Sequence, residues 1–225
     1  MSIPSRFFVR EIEKQVAQKM SIENHYLHRK APCMQAFGLF DHESNSELVG
    51  ILLFGVSASS TLLKGICGPE EAGNVFELTR LWVKDGTPKN TESFFISQCL
   101  KQSKREIVVS FADSTAKHVG YVYQATNWLY TGLSAKFKDP KHKGEFAGRH
   151  HTGWAHGMSN QEIRDKWGDL VEFVERPRKH RYIYIQASKK RKKEILSKLR
   201  YKLLPYPKLD ASCEIEKHHS PKKGQ

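Results

Sequence analysis

The chain has 225 residues, with 37 Lys and Arg against 24 Asp and Glu, a formal net charge of +13. Hydrophobic residues make up 39% and aromatics 11%, enough for one well-formed core, which excludes wholesale disorder and a large multidomain architecture. No apolar run approaches the ~20 residues of a membrane-spanning helix, and the N-terminus MSIPSRFFVREIEKQ breaks into charge too soon for a secretory signal.

Residues 5–20 are expected to form a first helix, because Phe7, Phe8, Ile12 and Val16 recur at helical spacing. A polar segment follows, containing Asn24-His-Tyr-Leu-His28. Gln35–Asp41 and Glu47–Val56 read as paired strands joined by a turn-rich link, and Ser57–Gly73 as a long loop. Val75–Val83 is a strongly strand-forming run. A helix is expected near Glu92–Ser103, a strand at Glu106–Ala112, a helix from Thr115 to Ala125 and a short strand at Trp128–Thr131. Lys136–Met158, rich in His, Gly and Lys, reads as a loop or insertion, and Ser159 as the cap of a helix. His180–Gln186 alternates like a strand and Lys189–Arg200 is a basic helix. Mixed order with crossover helices predicts an α/β (α+β) domain over residues 1–207, with a mixed, largely antiparallel sheet covered by helices. Residues 208–225 are expected to be a basic tail.

The charge is uneven. Residues 176–225 hold 16 basic and 4 acidic residues, while residues 1–175 are almost neutral. A basic end on a neutral body points to a polyanion, with nucleic acid favoured because bound Lys and Arg displace condensed phosphate counterions. Arg176, Arg178, Lys179 and Arg181 lead into Tyr182 and Tyr184, and Lys189, Lys190, Arg191, Lys192 and Lys193 continue the cluster on a helix. Interleaved cations and aromatics suit phosphate contacts and base stacking. Cys33, Cys67, Cys99 and Cys213 form no CxxC pair, which fits reduced thiols inside a cell. No P-loop, Rossmann fingerprint, HExxH or G-x-S-x-G occurs.

Phe76 to Gly132 is the most informative stretch. A strand ending in Leu81-Trp82-Val83 opens into a polar turn, and a helix starts near Asn90-Thr-Glu-Ser93 with Lys84 and Lys89 beside it. Free N–H groups at a helix start bind phosphate. A second strand and helix follow, the helix carrying Tyr121 and Tyr123. This layout resembles the acyl-CoA-binding core of the GNAT acyltransferase superfamily. The resemblance implies that Leu81, Trp82 and Val83 offer backbone to pantetheine, that Lys89, Asn90 and Ser93 face the pyrophosphate of acetyl-CoA or another acyl-CoA, and that Tyr123 is a general acid. The usual Gly-rich pyrophosphate signature is absent, since Lys84–Ser93 holds only Gly86.

Four strings extend the likeness: Phe76-Glu-Leu-Thr-Arg-Leu-Trp-Val83, Ser110-Phe-Ala-Asp-Ser114, His118-Val-Gly-Tyr-Val-Tyr-Gln-Ala-Thr-Asn-Trp128 and Glu175-Arg-Pro-Arg-Lys-His-Arg-Tyr-Ile-Tyr184. They look like the Mom family of phage DNA-modification proteins, over roughly residues 20–207. That resemblance implies a GNAT-like fold, conversion of adenine to N6-(methylcarbamoyl)adenine, protection from host restriction nucleases, a place in the bacterial cytoplasm, and bound iron. The partner it implies is double-stranded DNA with a flipped adenine; no protein partner is called for, and a dimer is left open.

By spacing alone, His25 and His28 could share one helical turn, or be exposed loop histidines. The family likeness implies His25, Tyr26 and Asp113 as metal ligands, with Tyr26 and Asp113 also in catalysis. Asp113 ends a buried strand, where open sheets place ligands or where an Asx turn forms. His118 could reach the same place. Arg80, central on its strand, needs a carboxylate or a phosphate; by simple alternation Glu77 faces away from it, so Arg80 is expected to meet substrate or cofactor. Trp82, Trp128, Tyr130 and Trp154 are either core or stacking surfaces. Two other readings stay open: a non-catalytic nucleic-acid-binding protein, and an ordinary N-acetyltransferase of GNAT type.

Overall fold

β2 (Gln35–Asp41) and β3 (Glu47–Gly55) form an antiparallel hairpin whose apolar residues are almost all buried. They anchor a seven-stranded sheet in the computed structural model, which describes residues 2–114 and 118–208. The remaining strands of that sheet are β1 (Phe7–Glu11), β4 (Val75–Val83), β5 (Ile107–Asp113), β6 (Leu129–Leu133) and β9 (Lys179–Ile185). Their order is β1-β2-β3-β4-β5-β9-β6, and every pairing is antiparallel except β4 with β5. The sheet is mixed and largely antiparallel, as expected. The expected tail beyond Lys208 lies outside the described residues.

Helices cover both faces. On the front, α1 (Ile3–Arg6), α4 (Thr91–Lys101) and α5 (Tyr121–Ala125) close a core of Phe37, Leu52, Phe54, Phe76, Phe95, Val108, Trp128 and Tyr182. On the back, α2 (Lys14–Asn24) packs over Ala36, Ile51 and Leu53. α3 (Ser60–Cys67) and α7 (Lys189–Ser197) cover Val75, Ile107, Val109, Ile183 and Ile185. No described helix is long and apolar enough to cross a membrane.

Three expectations are corrected. Residues 5–20 are not one helix: α1 and α2 flank β1, whose Phe7-Phe8-Val9 run pairs with Leu39–Asp41. Aromatic and β-branched residues fit a sheet edge, and pairing outweighs the weak helical spacing. Ser57–Gly73 contains α3, started by Ser59, whose Oγ accepts from the Leu62 N–H at 3.2 Å. The insertion after β6 carries a second, two-stranded sheet of β7 (Lys138–His142) and β8 (Val171–Glu175), with α6 (Asn160–Trp167) between them. His142, Phe146, Trp154 and Trp167 pack together beneath it, so Trp154 belongs to a small aromatic core. Of the expected helix at Thr115–Ala125, only Tyr121–Ala125 is helical, as α5; residues 118–120 are not helical, and residues 115–117 lie outside the described residues.

α7 is fastened by ions as well as apolar packing. The nearly buried Glu71 carboxylate holds Arg191 at 2.7 Å and Lys198 at 2.9 Å, and Arg191 also reaches Glu106 and Glu194. The hydrogen bond from Arg191 pulls the Glu71 pKa from 4.5 to about 2. Because the folded value is depressed, Glu71 stabilises the fold fully above pH 4.5 and loses that contribution as pH falls toward 2. Acid unfolding should therefore show a stability gap between wild type and Glu71→Gln that is constant above pH 4.5 and closes below it. A gap independent of pH would exclude the linkage.

Candidate active site

β4 is paired with β3 over Glu77–Val83 but with β5 only at Val75–Glu77 against Ile107–Val109. Beyond Glu77 the two parallel strands part. Leu78–Val83 and Ser110–Asp113 then face each other across a notch, each with a backbone edge that no strand fills. Unpaired main-chain donors and acceptors at the centre of a sheet are a place for an extended ligand.

A β-bulge sets which side chains face which side. The register steps from Phe54↔Leu78 to Leu53↔Arg80, leaving Thr79 as the extra residue. Leu81 and Val83 therefore pack on the front, Trp82 on the back, and Arg80 points to the back with its partner Leu53. This corrects the expectation for Glu77: the bulge shifts the alternation by one residue, so Glu77 and Arg80 share a face.

On the front of the notch, α5 holds Tyr123. Gly120, at φ 80°, starts this helix; a Cβ there would lie 2.6 Å from the Tyr182 ring, so only glycine allows the close approach. Tyr123 is buried, packed on Trp128 and Tyr182 with ring centroids 5.1 and 5.2 Å away. Its phenol oxygen accepts from Ser110 Oγ at 2.8 Å. Burial pushes its pKa up to about 12, against the opposing pull of the Ser110 bond. The phenol is protonated at neutral pH, and its own hydrogen is not used by Ser110. Tyr121, two residues earlier, is 58% exposed.

On the back, His25 ends α2 and stacks on Tyr26 at 4.3 Å; Tyr26 is 71% exposed. Burial, reinforced by Arg80 and His28, lowers the His25 pKa to about 4. His25 is neutral at pH 7, with Nδ1 accepting from the Leu27 N–H at 3.2 Å. His28 does not share a helical turn with it; it sits at φ 43° with Nδ1 on the Ile22 carbonyl. Arg80 donates to the carbonyls of Thr79 and Arg29 at 2.6 and 3.4 Å. Asp113, at the end of β5, forms an ion pair with Lys179 at 3.4 Å. His118 is exposed, its N–H donating to the Asp113 carbonyl.

His25 and Tyr26 stack side by side at the end of α2, and Asp113 ends β5. Among the described residues no group of three or more His, Cys, Asp or Glu could hold an ion. His25 Nδ1 and the Asp113 carboxylate are already engaged.

At the front mouth, α4 begins at Asn90 (φ 73°) with no side chain bonded to its free N–H groups. Asn90 and Ser93, with Phe94, Ser97, Asn127 and Tyr184, line a shallow groove open to solvent. Lys89 is exposed beside it, whereas Lys84 is held by Glu47 at 2.7 Å.

The expected nucleic-acid cluster is largely committed to the fold. Arg176 is bidentate to Asp139, Arg178 donates to the Ser134 and Leu133 carbonyls, and Lys179 pairs with Asp113. Arg181 is buried, bonded twice to Thr131 and stacked 3.5 Å from the Tyr201 ring. Arg191 holds Glu71, as described above. Lys189, Lys190, Lys192 and Lys193 remain exposed on α7. Trp128 and Tyr130 are core residues.

Ser110 was not singled out from sequence. Its signal is a hydroxyl inside the apolar run Ile107-Val-Val-Ser-Phe-Ala112, where a buried polar group needs a partner.

The sheet order, the single parallel pair that parts, and the tyrosine on the helix after β5 have the layout implied by the GNAT resemblance. The chain belongs to the Mom protein family, a model of which matches residues 6–208. It is 29% identical over 199 residues to the methylcarbamoylase mom of Escherichia phage Mu, covering 83% of this chain and 74% of that one. Similar solved structures include the spermidine/spermine N-acetyltransferase SpeG from Vibrio cholerae, at 8% identity and TM-score 0.46, covering 85% of this chain and 99% of that chain. Another is yncA from Salmonella typhimurium with its cofactor acetyl-CoA, at 10% identity and TM-score 0.45, covering 81% of this chain and 95% of that chain.

Proposed function

We propose that this chain is a transferase that converts adenine in phage DNA to N6-(methylcarbamoyl)adenine, in the cytoplasm of the bacterial host, and so shields the DNA from restriction nucleases. The observation that carries this reading is the family match over residues 6–208, which spans the whole notch. The relative named as a methylcarbamoylase supports the same chemistry.

The adenine amine is a poor nucleophile, because its lone pair is delocalised into the ring. Its acylation needs an activated carbonyl, a proton acceptor and a proton donor. An acyl-CoA would supply the activated carbonyl when bound. The unpaired edge of β4 at Leu81, Trp82 and Val83 fits its amide arm, and the uncapped start of α4 at Lys89, Asn90 and Ser93 fits its phosphates. Tyr123, protonated and with its hydrogen unused by Ser110, would give a proton to the departing thiolate of such a donor. Asp113 receives the amine proton, and Tyr26 and Arg80 orient the base from the back of the notch. An acetyl group moved intact would leave N6-acetyladenine. The methylcarbamoyl product carries one further nitrogen, so acetyl transfer by itself does not make it.

Adenine N6 in a duplex becomes accessible when the base is flipped out. Lys189, Lys190, Lys192 and Lys193 are the cations of the basic helix left to meet phosphates. Neutralising these four should weaken duplex binding, with a log–log salt dependence shallower by roughly one for each phosphate no longer neutralised. An unchanged slope would remove α7 from the interface. Arg191 is kept in this variant because it ties α7 to Glu71.

Mass spectrometry of nucleosides from DNA of expressing cells tests the function. One methylcarbamoyl group on deoxyadenosine is expected. Deoxyadenosine bearing an acetyl group would instead mark ordinary acetyl transfer, and unmodified DNA with intact duplex binding a binding protein.

A further inference from the structure

The back mouth of the notch holds two arginines, Arg29 and Arg80, whose guanidinium groups make no close ion pair among the described residues. Arg29 lies in the segment after α2, and Arg80 reaches its main-chain carbonyl at 3.4 Å. Neither arginine makes an ion pair among the described residues, in contrast to Arg6, Arg176 and Arg191, which all do. The Arg80 pKa is lowered, first by burial and next by Arg29, and the opposing pull of Tyr26 and Glu77 is smaller. Arg80 Nε is buried with no hydrogen-bond partner. A guanidinium has five donors, and here two of its bonds are made, both to carbonyl oxygens. A half-buried guanidinium with an unpartnered Nε, beside a second, exposed arginine, is an arrangement that an anion would relieve.

Three further features narrow the anion. Tyr26 stacks on His25 by one face and is largely exposed, so its other face is open beside the arginines. An open aromatic face next to unpaired cations is the combination that binds a single nucleotide, by stacking the base and pairing the phosphate. The bulge at Thr79 turns Arg80 to the back, across the sheet from the start of α4. The site is therefore separate from the front mouth, where a cofactor's phosphates would lie. Arg29 is exposed and open to a large ligand.

We infer that Arg29 and Arg80 form a clamp for a backbone phosphate of the nucleic acid, adjoining the nucleotide whose base stacks on Tyr26. The inference rests on the reading of this chain as a DNA-modifying enzyme. It adds a phosphate site at the notch itself, apart from α7, made by residues that position the target.

The test uses the full chain, a fluorescent DNA duplex and acetyl-CoA. Arg29→Ala, at an exposed position, should weaken duplex binding to a similar extent for any duplex sequence and reduce the salt slope by about one. Arg80→Lys should keep the slope and lower affinity severalfold, because a point charge replaces a fork. Acetyl-CoA affinity should stay unchanged in both. Unchanged duplex binding and slope in Arg29→Ala would overturn the clamp, as would a loss of acetyl-CoA binding with duplex binding intact. The nucleoside analysis of wild type reads the function separately: modified DNA with no change of slope refutes the clamp alone, and unmodified DNA refutes the enzymatic reading alone.

Discussion

Tyr123→Phe is expected to reduce adenine modification by about 10²–10⁴-fold, the size of a general-acid contribution. The substitution removes one hydroxyl and keeps the ring that packs on Trp128 and Tyr182. Ser110 loses its acceptor, which should cost about 1 kcal/mol of stability, small beside the activity effect. Duplex affinity should change little, because the cations lie on α7 and at the back mouth. Tyr121→Phe is the control: its side chain is exposed and points away from the notch, so modification should stay near wild type. Nucleoside analysis of both variants decides the matter, and full modification by Tyr123→Phe would take the phenol out of the chemistry while leaving the adenine reading standing.

Arg181→Ala should destabilise the fold by about 2–4 kcal/mol, because it removes two hydrogen bonds, the stacking on an aromatic ring and a packed aliphatic stem. For a chain of this size that corresponds to a melting temperature lower by roughly 5–15 °C. The guanidinium bonds Thr131 Oγ1 and the Thr131 carbonyl, both at 2.9 Å, and lies against Tyr201. It joins β9 to the edge strand β6 and to the segment after α7. That segment runs on to Leu204, whose N–H donates to the Tyr130 carbonyl, and to Tyr206, which donates to the Trp128 carbonyl. Duplex binding by the folded fraction, measured well below the transition, should equal wild type. A folded variant of normal stability that binds duplex weakly would return Arg181 to the interface.

Several parts of this site are legible without tertiary structure. Val75–Val83, the helix after it and the tyrosine-bearing stretch before Trp128 stand out because strand, turn and helix patterns are local. β2, β3, β4, β5, α4, α7 and the capped start of α6 lie close to their expected positions for the same reason. β1 escapes because its five residues gain their structure from pairing with β2, some thirty residues distant in the chain. β8 escapes similarly, since a two-stranded sheet built across an insertion leaves little periodic trace.

What the sequence by itself determined is a basic chain with a mixed sheet, a tyrosine on the helix after the central pair and the strings that mark its family. These are properties of residue type and short-range spacing. What only the tertiary structure decided is which charges are free. Arg176, Arg178, Arg181 and Arg191 look identical to Lys189 or Lys193 in a charge count, yet carboxylates, carbonyls and a ring from distant parts of the chain consume them. Arg29 is unremarkable in sequence but lies beside Arg80 without a counter-ion among the described residues. One extra residue at Thr79 turns Arg80 to the back, reversing the alternation read from the strand. Charge is written in the sequence residue by residue, whereas the pairing and desolvation that decide what a charge does depend on neighbours that only folding brings together.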